Sequence, residues 1–246
     1  MSNIALVMKF AIKNQLRMIS TTVITLTITF ICVAGVIAIV AALLLNPEME
    51  KTVPDMSVLE NAMGIILFCA SFISIGIYSS VFSYQSLVRE KAGGNIQALL
   101  ATPISTKGMW LGKSLAVFLP GLIFTVIMSI VAFIVLNLIY FSGDTGFIFT
   151  SWMFISNLLA VPLLYFAVTL FVHIIGLVGK PVTANVIGQI FLPVMANVMI
   201  QLAVRSSLGA GSWLFAVILL GTATVIVIGM FPAYRNMTTE RIILSL

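Results

Sequence analysis

Charge is what this sequence has least of. Among 246 residues 12 are basic and 7 acidic, 8% together, while 61% are hydrophobic, against about 25% charged and about 45–50% apolar in ordinary soluble domains. So few charges cannot cover the surface of a water-soluble fold, which excludes a soluble enzyme, a nucleic-acid-binding domain and a disordered tail. Cysteine and histidine are nearly missing as well, with two and one. Cys32 and Cys69 fall inside apolar runs and read as small packing residues, so no disulfide framework or metal site is indicated. His173 has no acid within any apolar run to pair with. It reads more simply as a hydrogen-bonded packing residue than as a proton relay.

What is present is apolar length. Six stretches, 18–47, 61–88, 114–143, 145–179, 181–204 and 206–234, carry no charge at all. A helix crosses the hydrocarbon layer with about 20 residues, so each stretch is long enough to cross once. Their continuity argues against a transmembrane barrel, whose strands are about 10 residues of alternating polarity. The expected fold is all-α: a polytopic membrane protein with six transmembrane helices, forming a single membrane domain over 1–246. The connections leave no room for a further folded domain, and no convincing repeat relates the two halves of the chain, which removes the signature of an inverted-repeat carrier.

Placing the charges between the spans gives the orientation. Lys9, Lys13, Arg17, Arg89, Lys91, Lys107, Lys113, Lys180, Arg235 and Arg241 fall on one side; only Lys51 and Arg205 fall on the other, with Glu48, Glu50, Asp55, Glu60 and Asp144. This positive-inside bias predicts that both termini are cytoplasmic. It also accounts for the net charge of +5 without a nucleic-acid partner. Trp110, Trp152 and Trp213 each open a span, where an indole is expected at headgroup level. The first span, 18–47, is too long for a signal-peptide core and no small-residue cleavage site closes it, so it reads as retained.

Residues 1–17 place Lys9, Lys13 and Arg17 at i, i+4 and i+8, with Ile4, Val7, Met8, Ala11 and Leu16 toward another side. That pattern predicts an amphipathic helix lying in the cytoplasmic interface; the alternative is an extension of the first span with the basic residues as anchors. In 181–204, Asn185, Gln189, Pro193, Asn197 and Gln201 recur every four residues and form one polar stripe. Thr22, Thr25 and Thr29 form a milder one on the first span. Amides in hydrocarbon need partners, so the stripes face either a hydrated path or neighbouring helices within the same subunit.

The segment 89–113, REKAGGNIQALLATPISTKGMWLGK, is the most informative. A charged triplet is followed by Gly93–Gly94, then Asn95 as a helix N-cap, a short apolar run 96–100, and Pro103 as a stop. Ile96, Leu99 and Leu100 need apolar cover, from lipid or from another protein. Gly108 to Ser114 imitates a phosphate-binding loop but has three residues between its glycines where four are required. ATP binding by this chain is therefore not expected.

With Arg89, Glu90, Gly93, Gly94, Leu99, Leu100, Thr102, Pro103, Ile104, Ser105, Gly112 and Lys113 in this order between the second and third spans, the chain resembles the membrane subunits of ABC-2 type transporters. The resemblance implies a non-enzymatic permease subunit of an ATP-binding cassette exporter in the plasma membrane. It implies a second, identical or different, permease subunit, and cytoplasmic ATPase subunits that hold MgATP, with no cofactor on this chain. Arg89, Glu90, Gly93, Gly94, Leu99, Leu100, Thr102 and Pro103 would then form the coupling helix that meets the ATPase, flanked by the interfacial helix with Lys9, Lys13 and Arg17. Thr22, Thr25, Thr29, Asn185, Gln189, Asn197 and Gln201 would line the translocation path or the permease interface. Absence of intramembrane charge favours a hydrophobic or amphipathic cargo, such as a drug, peptide or lipid-like molecule. The competing expectation is a channel, scaffold or secondary carrier that works without ATP. One departure from the family is the short 205–212 connection, which leaves little room for re-entrant helices unless the fifth span is broken near Pro193.

Overall fold

The computed structural model describes residues 3–83, 89–93, 96, 99, 101–141, 146–205 and 209–244. Every regular element among them is helical. In chain order they are α1 (Asn3–Arg17), α2 (Ile19–Val40, prolonged by Ala41–Leu45 and Asn46–Met49), α3 (Met56–Ser83), α4 (Arg89–Ala92) and α5 (Thr106–Tyr140). Then follow α6 (Ser151–Phe154, Ile155–Ala160 and Val161–Val178), α7 (Pro181–Arg205), α8 (Trp213–Gly229), α9 (Phe231–Arg235) and α10 (Thr239–Leu244). Among the described residues six helices are long and apolar enough to cross a membrane, namely Ile19–Met49, Met56–Ser83, Thr106–Tyr140, Ser151–Val178, Val182–Leu202 and Trp213–Arg235. By length and composition the chain is a multi-pass membrane protein. Gly94, Asn95 and Leu100 lie outside the described residues.

Two of the six helices are central. The apolar windows of α3 and α6 are 78% and 67% buried, whereas those of the other four range from 12% to 33%. Composition explains the position of α3, because Ala62, Gly64, Cys69, Ala70, Ser71 and Ser74 let neighbouring backbones approach closely. At Gly64 a Cβ would stand 2.9 Å from the Gly211 nitrogen, so the turn before α8 rests directly on α3. Asn61 Oδ1 fixes that turn by accepting from the Ala210 N–H at 2.7 Å. Between the small residues, Phe68 and Phe72 of α3 meet Phe215 of α8 and Tyr165 of α6 edge-on. The outer helices turn large apolar side chains outward, among them Ile31, Ile39, Ile127, Ile139, Val194 and Val225. A belt of this kind is suited to lipid and not to water.

Two spans contain a widened turn, Ala41–Leu45 and Ile155–Ala160, with i→i+5 bonding. Each ends two residues before a proline, Pro47 and Pro162. Proline offers no N–H to the carbonyl four residues back and its ring crowds it; loosening the preceding turn relieves the clash. Pro193 behaves differently: α7 runs through it as one helix from Pro181 to Arg205. The third spanning helix begins at Thr106, earlier than its charge-free stretch, and takes Lys107 and Lys113 into its first turns.

Candidate functional site

The site is built where α1 meets the start of α5. Met18 leaves helical geometry at φ −84°, ψ 57°, so α1 is a helix separate from α2. Its seat is Gly112, where a Cβ would come within 2.9 Å of Val7 Cβ and 3.1 Å of the Ile4 carbonyl oxygen. Any larger residue there would push α1 away. Val7 is buried in consequence, while Phe10, Lys9, Lys13 and Arg17 stay exposed.

The segment before α5 is tied to the spans at three points. Lys91 on α4, 3% exposed, donates from Nζ to the carbonyls of Gly176 (3.2 Å), Leu177 (3.0 Å) and Gly179 (2.7 Å). These belong to the last turn of α6, where carbonyls have no intrahelical partner and the helix dipole favours a cation. Burial pushes the Lys91 ammonium below its ordinary pKa, yet the three acceptors hold it in place. The second tie is the ion pair between Glu90 and Lys113 of α5. The third is apolar: Ile96 is fully buried in a cluster with Met109, Trp110, Ile174 and Leu177, and Leu99 and Ile104 pack against that cluster. The cover that Ile96 and Leu99 require thus comes from this chain itself.

The Thr102–Ser105 sequence punctuates the backbone. Thr102 returns both its N–H (3.2 Å) and its hydroxyl (2.6 Å) to the Leu99 carbonyl, closing the preceding turn. Pro103 prevents continuation. Ser105 then caps α5, its Oγ accepting from the Gly108 N–H at 3.1 Å.

Between α1 and this segment lies a groove of about 720 Å³. Leu6, Val7 and Phe10 form one wall and Leu99 and Ile104 the other; Lys13 and Arg17 stand on the rim, and Glu90 and Lys113 also line it. Of the residues singled out from sequence, Lys13, Arg17, Glu90, Leu99 and Thr102 therefore converge on one surface. Lys9, Gly93 and Pro103 are exposed but do not line it, and the side chain of Arg89 lies outside the described set. Chemically the groove offers apolar contact flanked by positive charge. Among the described residues no group of His, Cys, Asp and Glu is placed to hold a metal.

The polar stripes separate. Thr25 and Thr29 are buried and donate to carbonyls one turn back in their own helix, Thr21 and Thr25, both at 2.7 Å. Thr22 donates to the Gln15 carbonyl at 3.3 Å. On α7, by contrast, Gln189, Asn197 and Gln201 are exposed; the side chain of Asn185 is outside the described set. Trp110 does not face outward as a lipid-facing anchor would. It is buried, donates from Nε1 to the Leu170 carbonyl at 3.0 Å and faces Tyr234, whose ring also carries Lys107 Nζ at 4.3 Å. Trp152 and Trp213 do remain exposed.

Sequence reasoning passed over three contacts. From the sequence Lys91 counts only toward topology and the charged triplet, and nothing there names the α6 carbonyls as its acceptors. Gly112 stands in the sequence only as part of the 89–113 motif, and its partner α1 is not legible there. Ser114 and His173 are joined, Oγ to Nδ1, at 2.9 Å in the buried interior, a pairing that residues 59 positions apart cannot announce. Ser114 Oγ also lies 2.9 Å from the Trp110 carbonyl, so the pair ties α5 to α6. Comparison with protein-family models, with curated proteins and with solved structures finds no match to this chain.

Proposed function

We propose that this chain is the permease subunit of an ATP-binding cassette exporter of the ABC-2 type, working with separate ATPase subunits that bind and hydrolyse MgATP. The observation that carries the reading is the convergence of α1 and the 89–105 segment on one groove that is anchored to two spanning helices. A partner seated there would press on Leu99 and Glu90, and the force would pass to α5 through Lys113 and to α6 through Lys91. A surface meant to transmit motion needs such rigid ties; a passive loop does not. In this reading the groove faces the cytoplasm of a plasma-membrane protein, both termini are cytoplasmic, α1 lies in the interface, and 89–105 serves as the coupling element. The exposed amides Gln189, Asn197 and Gln201 on the least buried spanning helix support a second permease subunit on that face, since amides are poorly placed against lipid. The cargo is a hydrophobic or amphipathic drug, peptide or lipid-like molecule.

Reconstitution tests the reading. Native purification in mild detergent retains an ATPase, and Glu90→Ala or Leu99→Asp uncouples its hydrolysis from transport while leaving membrane insertion intact. Wild-type transport in both variants, or a native preparation free of any ATPase, would refute it and leave an ATP-independent channel, scaffold or carrier.

A further inference from the structure

A second cavity lies away from the groove, between α3, α6 and α7. Three hydroxyls line it without any hydrogen-bond partner: Ser79 Oγ, Tyr165 Oη and Thr169 Oγ1, on residues 6%, 3% and 2% exposed. A buried hydroxyl left unpaired is costly, so three around one space call for an occupant. The cavity measures about 20 Å³, room for one water-sized group. Its apolar walls are Val168 and Val172, and the exposed Gln189 of α7 stands at its edge. None of the lining residues is charged, which disfavours an ion.

The surroundings of Gln189 define the rest of the ligand. Val182, Val186 and Ile190 lie on the same face of α7 and are exposed. Gln189 is eight residues into α7, about 12 Å along its axis, within the stretch Val182–Leu202 that is long and apolar enough to span. A hydroxyl group can donate one hydrogen bond and accept two, which matches three hydroxyl partners. We propose that this cavity binds the hydroxyl head of a neutral, single-headed amphiphile, a long-chain aliphatic alcohol by class, whose tail runs along Val186 and Ile190. A larger head such as a sugar or a phosphocholine exceeds the volume. The proposal does not depend on the exporter reading, because binding is measured on this chain alone.

The test is photolabelling of the full-length chain in phosphatidylcholine nanodiscs with a diazirine-bearing octanol, mapped by mass spectrometry. A diazirine-bearing octane without the hydroxyl is run in parallel. Octanol adducts are expected on α7 near 186–190 and on the facing turns of α3 and α6, with the octane probe spread over lipid-facing residues instead. Thr169→Val and Tyr165→Phe each remove one hydrogen bond and should lower octanol labelling there about three- to tenfold. Gly188→Leu, whose Cβ would meet Val172 at an ordinary 3.4 Å, fills the space and should abolish it. Equal labelling of these turns by both probes in the wild-type chain overturns the proposal, as does absence of octanol adducts there, which would leave the cavity to water. The wild-type comparison decides the matter even if a variant fails to fold.

Discussion

Lys91→Met removes the ammonium that closes the end of α6 while keeping an apolar stem in its place. The wild-type ammonium serves three carbonyls, at 2.7, 3.0 and 3.2 Å, and each hydrogen bond to a charged donor is worth about 1.5–3 kcal/mol. Desolvation of the ammonium opposes this gain, as its lowered pKa records. A net loss of about 3 kcal/mol is expected, which for a chain of this length lowers Tm by about 6–12 °C. Thermal unfolding in nanodiscs measures the total, and amide exchange localises it: exchange should quicken at the end of α6 and stay unchanged in α8. The sign of the pH dependence follows from the same contact. The unfolded chain holds the Lys91 proton more tightly than the folded one, so wild-type stability relative to Lys91→Met rises as pH climbs from the depressed pKa to the ordinary lysine value. A Tm change below about 1 °C, with exchange at the end of α6 unaltered, would refute the capping role.

Gly112→Val places a Cβ where Val7 already stands, 2.9 Å away; it should unseat α1 at a cost of about 1–3 kcal/mol and expose the α1–α2 junction to limited proteolysis. Ser114→Ala leaves His173 Nδ1 without its partner and should cost about 1–3 kcal/mol, and a double-mutant cycle with His173→Leu should show coupling where independent packing roles would add. Asp55 caps α3, its Oδ1 accepting from the Ser57 hydroxyl (2.8 Å) and N–H (2.9 Å), and these bonds hold its pKa below the ordinary carboxylate value. Its stabilisation is therefore present at neutral pH and lost as pH falls through that lowered pKa, and Asp55→Asn should flatten this part of the acid-unfolding profile.

How much was legible beforehand differs from element to element. The six spanning helices could be read from charge-free length, because the hydrocarbon layer imposes one requirement on every crossing segment. The ends were less legible. Thr106 opens α5 inside what looked like a loop, since Ser105 can cap a helix wherever the backbone allows and the lysines at 107 and 113 find partners in Tyr234 and Glu90. Trp110 reads as an indole facing lipid, but the approach of α6 and α9 turns it inward, where it has a carbonyl and a ring to bind. Thr25 and Thr29 offered a stripe by spacing; each satisfied itself on its own helix, the cheapest acceptor available to a hydroxyl in an apolar setting.

The sequence by itself determined that this chain is helical and crosses a membrane, where the crossings fall and which segment between them is unusual. Periodicity and charge suffice for this, because each is a local property of the chain. Which helices stand at the centre, that α1 folds back onto Gly112, that Lys91 grips the end of α6 and that three hydroxyls surround one cavity were decided only by the tertiary structure. These contacts join residues tens of positions apart, and their partners are chosen by small-residue packing and unsatisfied polar groups that no single segment reveals.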